Sequence, residues 1–534
     1  MSRNGLYIIG LLLITAVGGA LRVLPALEHP LWFDEADSWR AAVVSNPPLN
    51  DQGLPADSPM PYKKFFQWDN HFETAPLTFL MVRISTDVLG TSDEWAMRVP
   101  GMMAGVLCIP LMFLLGYVVH SKSLGLITAA LMAFDPNMVD QGMQARMYSI
   151  MMVLLLVVLI WSIHILRDPW RGNENRKVHP LVQWIGLGMA FGLLFSTSQF
   201  TVAAWVGVFF AGLLIVAIGA IKKRKDAKPG QTVAAFFVAY VIGMLVGIVG
   251  VKKLIERVFG GGEGSGDGEH LSFMEITKEI GTAAKDLIGL TDAGLVVYAL
   301  GAVGLFLLLK KCKISTAVLV GVLIMNVLIL YPFRKMHHFM DGRYLMLLQP
   351  TLFIGMGMLV VGWQNRKAMA TAGLLVLVGY IGLQSWQSTH LENWRPQPDR
   401  YVFSQAIKDV RDKMEGTANE TSLVHPGAAV ILGQYYNMHQ DRQLFTSIYD
   451  KTTHVYLDDA HIPASLKSEK VWMVMGMNNW EGQFARARKP LELLAKHYNV
   501  TIDDAELNKH LRRDRVVIVQ VSKTGIELES RGVK

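Results

Sequence analysis

The residues with chemical capacity gather in three short stretches. Residues 29–40 read HPLWFDEADSWR, placing Asp34, Glu35 and Asp37 among Trp32, Phe33 and Trp39. Residues 134–149, FDPNMVDQGMQARMYS, carry Asp135, Asp140, Arg146 and Tyr148. Residues 331–350, YPFRKMHHFMDGRYLMLLQP, carry Arg334, Lys335, His337, His338, Asp341 and Arg343. A carboxylate can accept the proton of an attacking hydroxyl, and arginines can hold a departing phosphate through paired hydrogen bonds. Each stretch also has a plainer reading. The first suits an acidic turn in an aromatic belt, Arg146 alone a snorkelling anchor, and Tyr148 a belt residue; the cations of the third can meet lipid headgroups. Adjacent histidines do not share a helix face, so His337 and His338 make no metal site by themselves.

The elements that must position these residues are membrane spans. Of 534 residues, 51% are hydrophobic and only 18% charged, against roughly 25% charged in a soluble domain; mean hydropathy is +0.30. The apolar residues come in blocks, such as LLLVVLI at 154–160, that recur as far as Trp386 and then stop. This excludes a cytosolic enzyme, a disordered chain and a disulfide scaffold. Cys108 and Cys312 offer neither a disulfide nor a metal cluster. About 20 apolar residues cross a bilayer. The runs that qualify are 5–24, 97–119, 124–139, 149–166, 181–195, 200–221, 232–251, 293–309, 314–331, 344–362 and 368–386, about eleven in all. The third is the weakest, because Asp135 and Pro136 interrupt it. Residues 75–89 form a shorter run with Arg83 and Asp87 inside. It reads as an interfacial helix, because a crossing there would put KKRKDAK at 222–228 outside the cell.

Charge then fixes orientation. The excess of 51 − 44 = +7 lies largely in short connectors, at Lys122, 167–179, 222–228, 310–313 and 366–367. These mark the cytosolic side and the contact with anionic membrane lipids, and they leave no case for nucleic acid. The first span reads as a signal anchor with a cytoplasmic N-terminus. The outer side receives the loop 25–96, a short loop around 135–148, a glycine-rich loop 252–291, the loop 332–343 and everything after Trp386. Within the third of these, GGGEGSGDGEH at 260–270 has no means of packing and reads as a mobile loop. The spacing predicts two domains, a transmembrane domain over 1–388 and an extracytoplasmic α/β domain over 389–534. In the latter, 401–414 and 484–498 read as helices and 470–475 and 515–521 as buried strands. It carries no nucleotide-binding glycine fingerprint. All three chemical stretches thus face the outside. There is no supply of nucleotide sugars there, so a sugar donor used on that face must arrive on a lipid.

Five motifs in order carry a resemblance. They are FDE after the first span, Asp69-x-His71-x-x-x-Ala75-Pro76-Leu77, GTSDEWAMRVP at 90–100, QARMYS at 144–149 and GRYL at 342–345. The chain resembles the C-type (GT-C) glycosyltransferase superfamily over about residues 1–390. It is similar to the bacterial branch of protein O-mannosyltransferases and lipid A aminoarabinose transferases, the family 39-like proteins. Two departures stand out: Gln144 where relatives often carry Glu, and Ala75-Pro76 where they carry two prolines.

The resemblance implies a polytopic α-helical membrane protein of GT-C type with external juxtamembrane helices, in a bacterial inner membrane. It implies a sugar donor on a polyprenyl phosphate and an acceptor that is lipid, glycan or protein. Asp34 would be the catalytic base and Glu35 its neighbour in the acidic motif. Arg146 and Tyr148 would lie near the donor phosphate, with Arg343 and Tyr344 lining the lipid-phosphate side; Asp140 and His71 complete the substrate-binding candidates. His71 and Glu73 could orient Asp34, bind the acceptor or contribute to a metal site, and a structural role ranks above these. No cofactor is required by this chemistry, and the acidic loops are compatible with a divalent metal. The expected reaction is an inverting displacement. A weak carboxylate base must then act in concert with bond formation, so orientation and phosphate stabilisation carry most of the burden. The rivals are a transporter or flippase, which would place charges at mid-membrane depth and show a repeat, and an oligosaccharide ligase on the same fold, which would need a larger acceptor cleft.

Overall fold

The computed structural model describes residues 2–31, 33–43, 61–66, 76–167, 180–221, 229–249, 252, 273–288, 294–336, 342–363, 367–389, 405–410, 413, 420–424, 445–447, 449–450, 455–456, 470–476, 491–492, 494–503 and 515–532. The connector at 222–228 and the segment at 260–270 lie outside them. The chain divides into two compact units. One comprises Met1–Leu27, Tyr62–Ser85 and Arg98–Trp394; the other comprises Glu28–Pro61, Thr86–Met97 and Arg395–Lys534. Two pieces of the expected first external loop are thereby grouped with the C-terminal region.

In chain order the helices are α1 (Arg3–Glu28), α2 (Phe33–Val43), α3 (Leu77–Leu89), α4 (Glu94–Val119), α5 (Lys122–Phe134), α6 (Pro136–Gly142), α7 (Met147–Arg167), α8 (Pro180–Phe195), α9 (Val202–Ile221), α10 (Pro229–Val246), α11 (Phe273–Ile288), α12 (Gly294–Lys311), α13 (Lys313–Met336), α14 (Gln349–Val361) and α15 (Lys367–Thr389). A 3-10 segment, Gly342–Leu348, leads directly into α14. Against the expected eleven spans, six described helices are long and apolar enough to cross a membrane, and shorter apolar helices occupy four more of the expected runs. The chain is an integral membrane protein. Helices prevail because hydrocarbon offers no partner to a backbone N–H or C=O, and a helix satisfies these within itself. At 13 residues, α3 falls short of the roughly 20 that a crossing takes.

The core lies around α7 and α14. In the apolar stretch of Arg343–Val361 89% of residues are buried, against 17% in α1 and in α15. Close pairing of helices depends on small residues. Helix α9 packs on α13 where a Cβ on Gly207 would fall 2.6 Å from Val322 Cα and 2.7 Å from the Gly321 carbonyl. Helix α12 packs on α14 where a Cβ on Gly304 would collide with the Gly355 carbonyl. Apolar contact gives no net drive to association in lipid, so such backbone approach is what makes the packing favourable.

Two polar arrangements pin the helix ends. At the basic end, Lys122 Nζ donates to Asn4 Oδ1 at 2.8 Å, and Arg167 donates to the Val119 carbonyl at 2.7 Å and to Ser315 Oγ. His120 Nδ1 lies 3.8 Å from Cys312 Sγ. Burial, with Lys311 and Arg167 nearby, holds the His120 imidazole below its ordinary pKa. The connectors at Lys122, Arg167 and 310–313 therefore share one end of these helices, as their charge led one to expect. In the interior, the fully buried Arg22 of α1 donates to the carbonyls of Ala133 at 2.9 Å and Met132 at 2.8 Å, the last turn of α5. Glycine leaves room for it, since a Cβ at Gly142 would stand 2.9 Å from Arg22 Cδ.

After residue 389, a five-stranded sheet runs in the order β2 (Phe445–Ser447), β1 (Glu420–Val424), β5 (Lys470–Gly476), β6 (Arg515–Ser522), β7 (Gly525–Gly532); β3 (Tyr449–Asp450) and β4 (Val455–Tyr456) pair separately. β1 is parallel to β2 and to β5, whereas β5, β6 and β7 are antiparallel, with Val471 opposite Val521 and Met473 opposite Val519. Buried Val471, Ile518, Val519 and Val521 account for the apolar runs seen in the sequence. Residues 405–410 and 494–498 are helical, inside the two stretches where helices were expected.

The glycine contacts make a direct prediction. Gly304→Val should lower the melting temperature of the detergent-solubilised protein by several degrees, consistent with an overpacking cost of about 1–3 kcal/mol. Gly379→Val, where an added Cβ meets nothing within 4 Å, should melt like the wild type. Equal melting of the two variants would refute the close-approach argument.

Candidate active site

The second chemical stretch is shaped by a break in the third apolar run. Pro136 has no N–H to continue α5, and Asp135, in an extended conformation, accepts the Met138 N–H at 2.8 Å to start α6. The expected single run over 124–139 is therefore two helices. Helix α6 closes when Met143 donates its N–H to the Asp140 carbonyl at 3.2 Å. Ser149 Oγ then donates to the Gln141 carbonyl at 2.9 Å, so the start of α7 is tied back to α6. Arg146 and Tyr148 lie on a short segment anchored on both sides. Asp140 is buried and accepts from Gln144 Nε2 at 2.9 Å and, more weakly, from Gln141 Nε2 at 3.3 Å.

The third stretch meets the second. Arg343, itself buried, places its guanidinium carbon 5.9 Å from the centroid of the Tyr148 ring and 5.8 Å from that of Tyr344. Aromatic faces restrain a guanidinium while its N–H edge remains the part that pairs with an anion. Phe200 packs on Tyr344 with ring centroids 4.7 Å apart. Sequence reasoning missed Phe200. Its signal was the polar STSQ at 196–199 between two apolar runs, which marks a turn at one end of the bundle. The Ser196 carbonyl there accepts the Leu77 N–H at 3.0 Å, joining the Pro76-Leu77 motif to α8. Arg146 is partly exposed.

Asp34 and Glu35 occupy the first turn of α2, where negative charge is favoured by the helix dipole. Ser38 Oγ donates to the Asp34 carbonyl at 3.1 Å. Asp34 is partly exposed while Glu35 and Trp39 are fully buried, so Asp34 is the carboxylate of the pair that solvent can reach. Both belong to the second compact unit, whereas Asp140, Arg146, Tyr148, Arg343 and Tyr344 belong to the first. Other motif residues have structural partners. Arg98 donates to the Ala26 carbonyl at 2.8 Å, and Glu94 pairs with Lys408 at 2.8 Å. His71, Asp69, Glu73, His337, His338 and Asp341 lie outside the described residues, as does the side chain of Asp37. Among the described residues no three His, Cys, Asp or Glu side chains are grouped to hold a metal ion.

The model of a family described as dolichyl-phosphate-mannose-protein mannosyltransferase matches residues 73–260, the stretch holding Asp140, Arg146 and Tyr148. No curated protein matches the chain. Among solved structures it is similar to the Archaeoglobus fulgidus oligosaccharyltransferase in complex with Zn and sulfate, at 14% identity and a TM-score of 0.51 over 90% of this chain and 69% of that one. It is also similar to ArnT from Cupriavidus metallidurans bound to undecaprenyl phosphate, at 10% identity and a TM-score of 0.52 over 89% of this chain and 93% of that one. At such identities the likeness is one of fold, and the fold is that of the C-type glycosyltransferases. The family match takes in Ala75-Pro76-Leu77, GTSDEWAMRVP and QARMYS, while FDE and GRYL lie outside it.

Gln144 gives this chain a neutral partner for Asp140. In Gln144→Glu a second carboxylate would replace the 2.9 Å amide donor, and two buried like charges at that distance must retain a proton between them. That proton is held more tightly in the folded state than in the unfolded one, so stability present at low pH is lost as pH rises. The melting-temperature deficit of Gln144→Glu relative to wild type should widen from pH 5 to pH 8; a constant deficit would show that the carboxylates do not interact.

Proposed function

We propose that this protein is a membrane glycosyltransferase that moves a sugar from a polyprenyl-phosphate donor to an acceptor hydroxyl on the extracytoplasmic face, with inversion at the anomeric carbon. The observation that carries the reading is the meeting of Tyr148 with Arg343 and Tyr344, inside a fold of the C-type glycosyltransferases. A buried arginine held by rings, with a second arginine on the adjoining segment, suits a phosphodiester that must be bound at one charge and released at two. The N-terminal family match over 73–260 supports a lipid-phosphate donor, and so does a fold shared with a protein that binds undecaprenyl phosphate.

The steps follow from the residues. Arg343 and Arg146 hold the phosphate of the donor, with Tyr148 and Tyr344 fixing the Arg343 plane; Asp140 lies on the same segment as Arg146 and contributes to substrate binding. The acceptor oxygen attacks the anomeric carbon from the side opposite the phosphate. Asp34 takes the hydroxyl proton as the new C–O bond forms, and the old C–O bond breaks with its electron pair passing to the phosphate oxygen. The additional negative charge on the departing phosphate is what the arginines stabilise most, so their effect falls on the transition state. Glu35, buried beside Asp34, supports the turn that presents it.

The test uses purified protein and a synthetic polyprenyl-phosphate sugar. Asp34→Asn should keep the wild-type melting temperature and lose transfer by about 10²-fold or more, the scale of positioned general-base catalysis; retained turnover would remove Asp34 from the mechanism. Arg343→Lys, which keeps the charge but loses the planar fork, should lower kcat/KM about tenfold. Lipid-linked sugar co-purifying with the wild type, identified by mass spectrometry, names the donor.

A further inference from the structure

Asp135 is fully buried, sits between α5 and α6, and is used by none of the steps above. Its Oδ1 accepts two hydrogen bonds, from the Met138 N–H of α6 at 2.8 Å and from Gln349 Nε2 at 2.9 Å. Its Oδ2 accepts from Gln384 Nε2 of α15 at 3.0 Å, and Gln384 Nε2 also lies 2.7 Å from Tyr380 Oη. Arg22 bonds the carbonyls of the two residues that precede Phe134. A capping carboxylate needs only the Met138 bond. The other two are made to side chains from helices far away in the sequence, and the polar groups involved are all withdrawn from solvent.

The two elements joined at Oδ1 are the ones that carry the arginines. From Asp135 the chain runs through α6 to Arg146 and Tyr148, with the Ser149 bond to Gln141 closing that segment. From Gln349 it runs back through the 3-10 segment Gly342–Leu348 to Tyr344 and Arg343, a rise of roughly 12 Å at about 2 Å per residue. One carboxylate oxygen therefore references both segments to the same point, at the end remote from the ligand-facing groups. We propose that Asp135 is a positioning residue that sets the spacing of Arg146 and Arg343, with Gln349 as its partner, and so tunes affinity for a lipid-borne phosphate. The inference rests on the function proposed above. The plainer account of these bonds is stability alone, and the two make different predictions.

Among the described residues the Oε1 atoms of Gln349 and Gln384 have no hydrogen-bond partner. An asparagine at 135 keeps an oxygen for both the Met138 N–H and Gln349 Nε2, and its N–H faces Gln384, whose carboxamide turns to present its Oε1. An alanine loses both. The measurement is binding of undecaprenyl phosphate alone to the full-length detergent-solubilised protein by native mass spectrometry, alongside melting temperature. Asp135→Ala should weaken binding tenfold or more and Gln349→Leu fivefold or more, while Asp135→Asn stays within threefold of wild type. Thr128→Val serves as a control for stability. Thr128 Oγ1 is bonded to the Met112 and Gly125 carbonyls at 3.1 Å, so this variant should melt earlier yet bind normally. Binding within twofold of wild type for Asp135→Ala and Gln349→Leu, with Arg343→Ala impaired, overturns the positioning role and leaves the proposed function standing. Unchanged binding in Arg343→Ala overturns both. If Asp135→Ala does not accumulate in the membrane, Gln349→Leu decides by the same limits.

Discussion

A charge placed inside a helix bundle in lipid must be answered by the protein itself, because neither water nor hydrocarbon will do it. Arg22 and Asp135 are where this chain meets that demand. The two terminal nitrogens of the arginine are met by carbonyls that α5 leaves open at its end, and the carboxylate by the amide that α6 leaves open at its start and by two glutamines. Each charge thus completes a helix terminus that the break at Pro136 creates. Removing one member of such a buried set costs about 3–5 kcal/mol where it has been measured in other proteins, comparable to a large share of a domain's net stability. The break is therefore maintained by interactions spread over α1, α5, α6, α14 and α15.

The same anchoring fixes the two short segments that hold the proposed phosphate-binding arginines, although neither is a long element itself. Residues 143–146 are only a turn, yet the helix before it is capped and the helix after it is bonded back. The 3-10 segment at 342–348 is likewise short, yet it belongs to the most buried of the described candidate spans, Arg343–Val361. Order at Arg146, Tyr148, Arg343 and Tyr344 is borrowed from the bundle interior. Stacking of Phe200 on Tyr344 extends the same support to the turn before α9.

Much of this was legible in the sequence. Apolar runs located helices because lipid admits few other structures, and basic connectors located one shared end because charge is asymmetric across the membrane. The candidate site residues stood out because the apolar runs carry so few ionisable groups. What escaped was pairing. Nothing in the composition says that Gln349 and Gln384 converge on Asp135, or that Phe200 covers Tyr344, because those contacts join residues between 144 and 249 positions apart. Polar residues stranded in apolar runs, Arg22, Gln349 and Gln384 among them, were the available signal. They read as isolated anomalies until the helices brought them together. The break at α6 was half visible: Asp135-Pro136 interrupt the apolar run, but nothing in composition says that the chain resumes there as a separate helix.

Among the described strands, the sheet after residue 389 ends on β7. Glu527 and Glu529 stand exposed along it in alternate positions, and Lys413 reaches Glu529 at 2.7 Å. Such an edge is a template on which a neighbouring chain could add a strand, and charge along it is a common guard. Proteins confined to a membrane meet one another far more often than proteins in solution. In that crowded plane, a second copy pairing on this edge would bring its carboxylates against Glu527 and Glu529, which disfavours the addition.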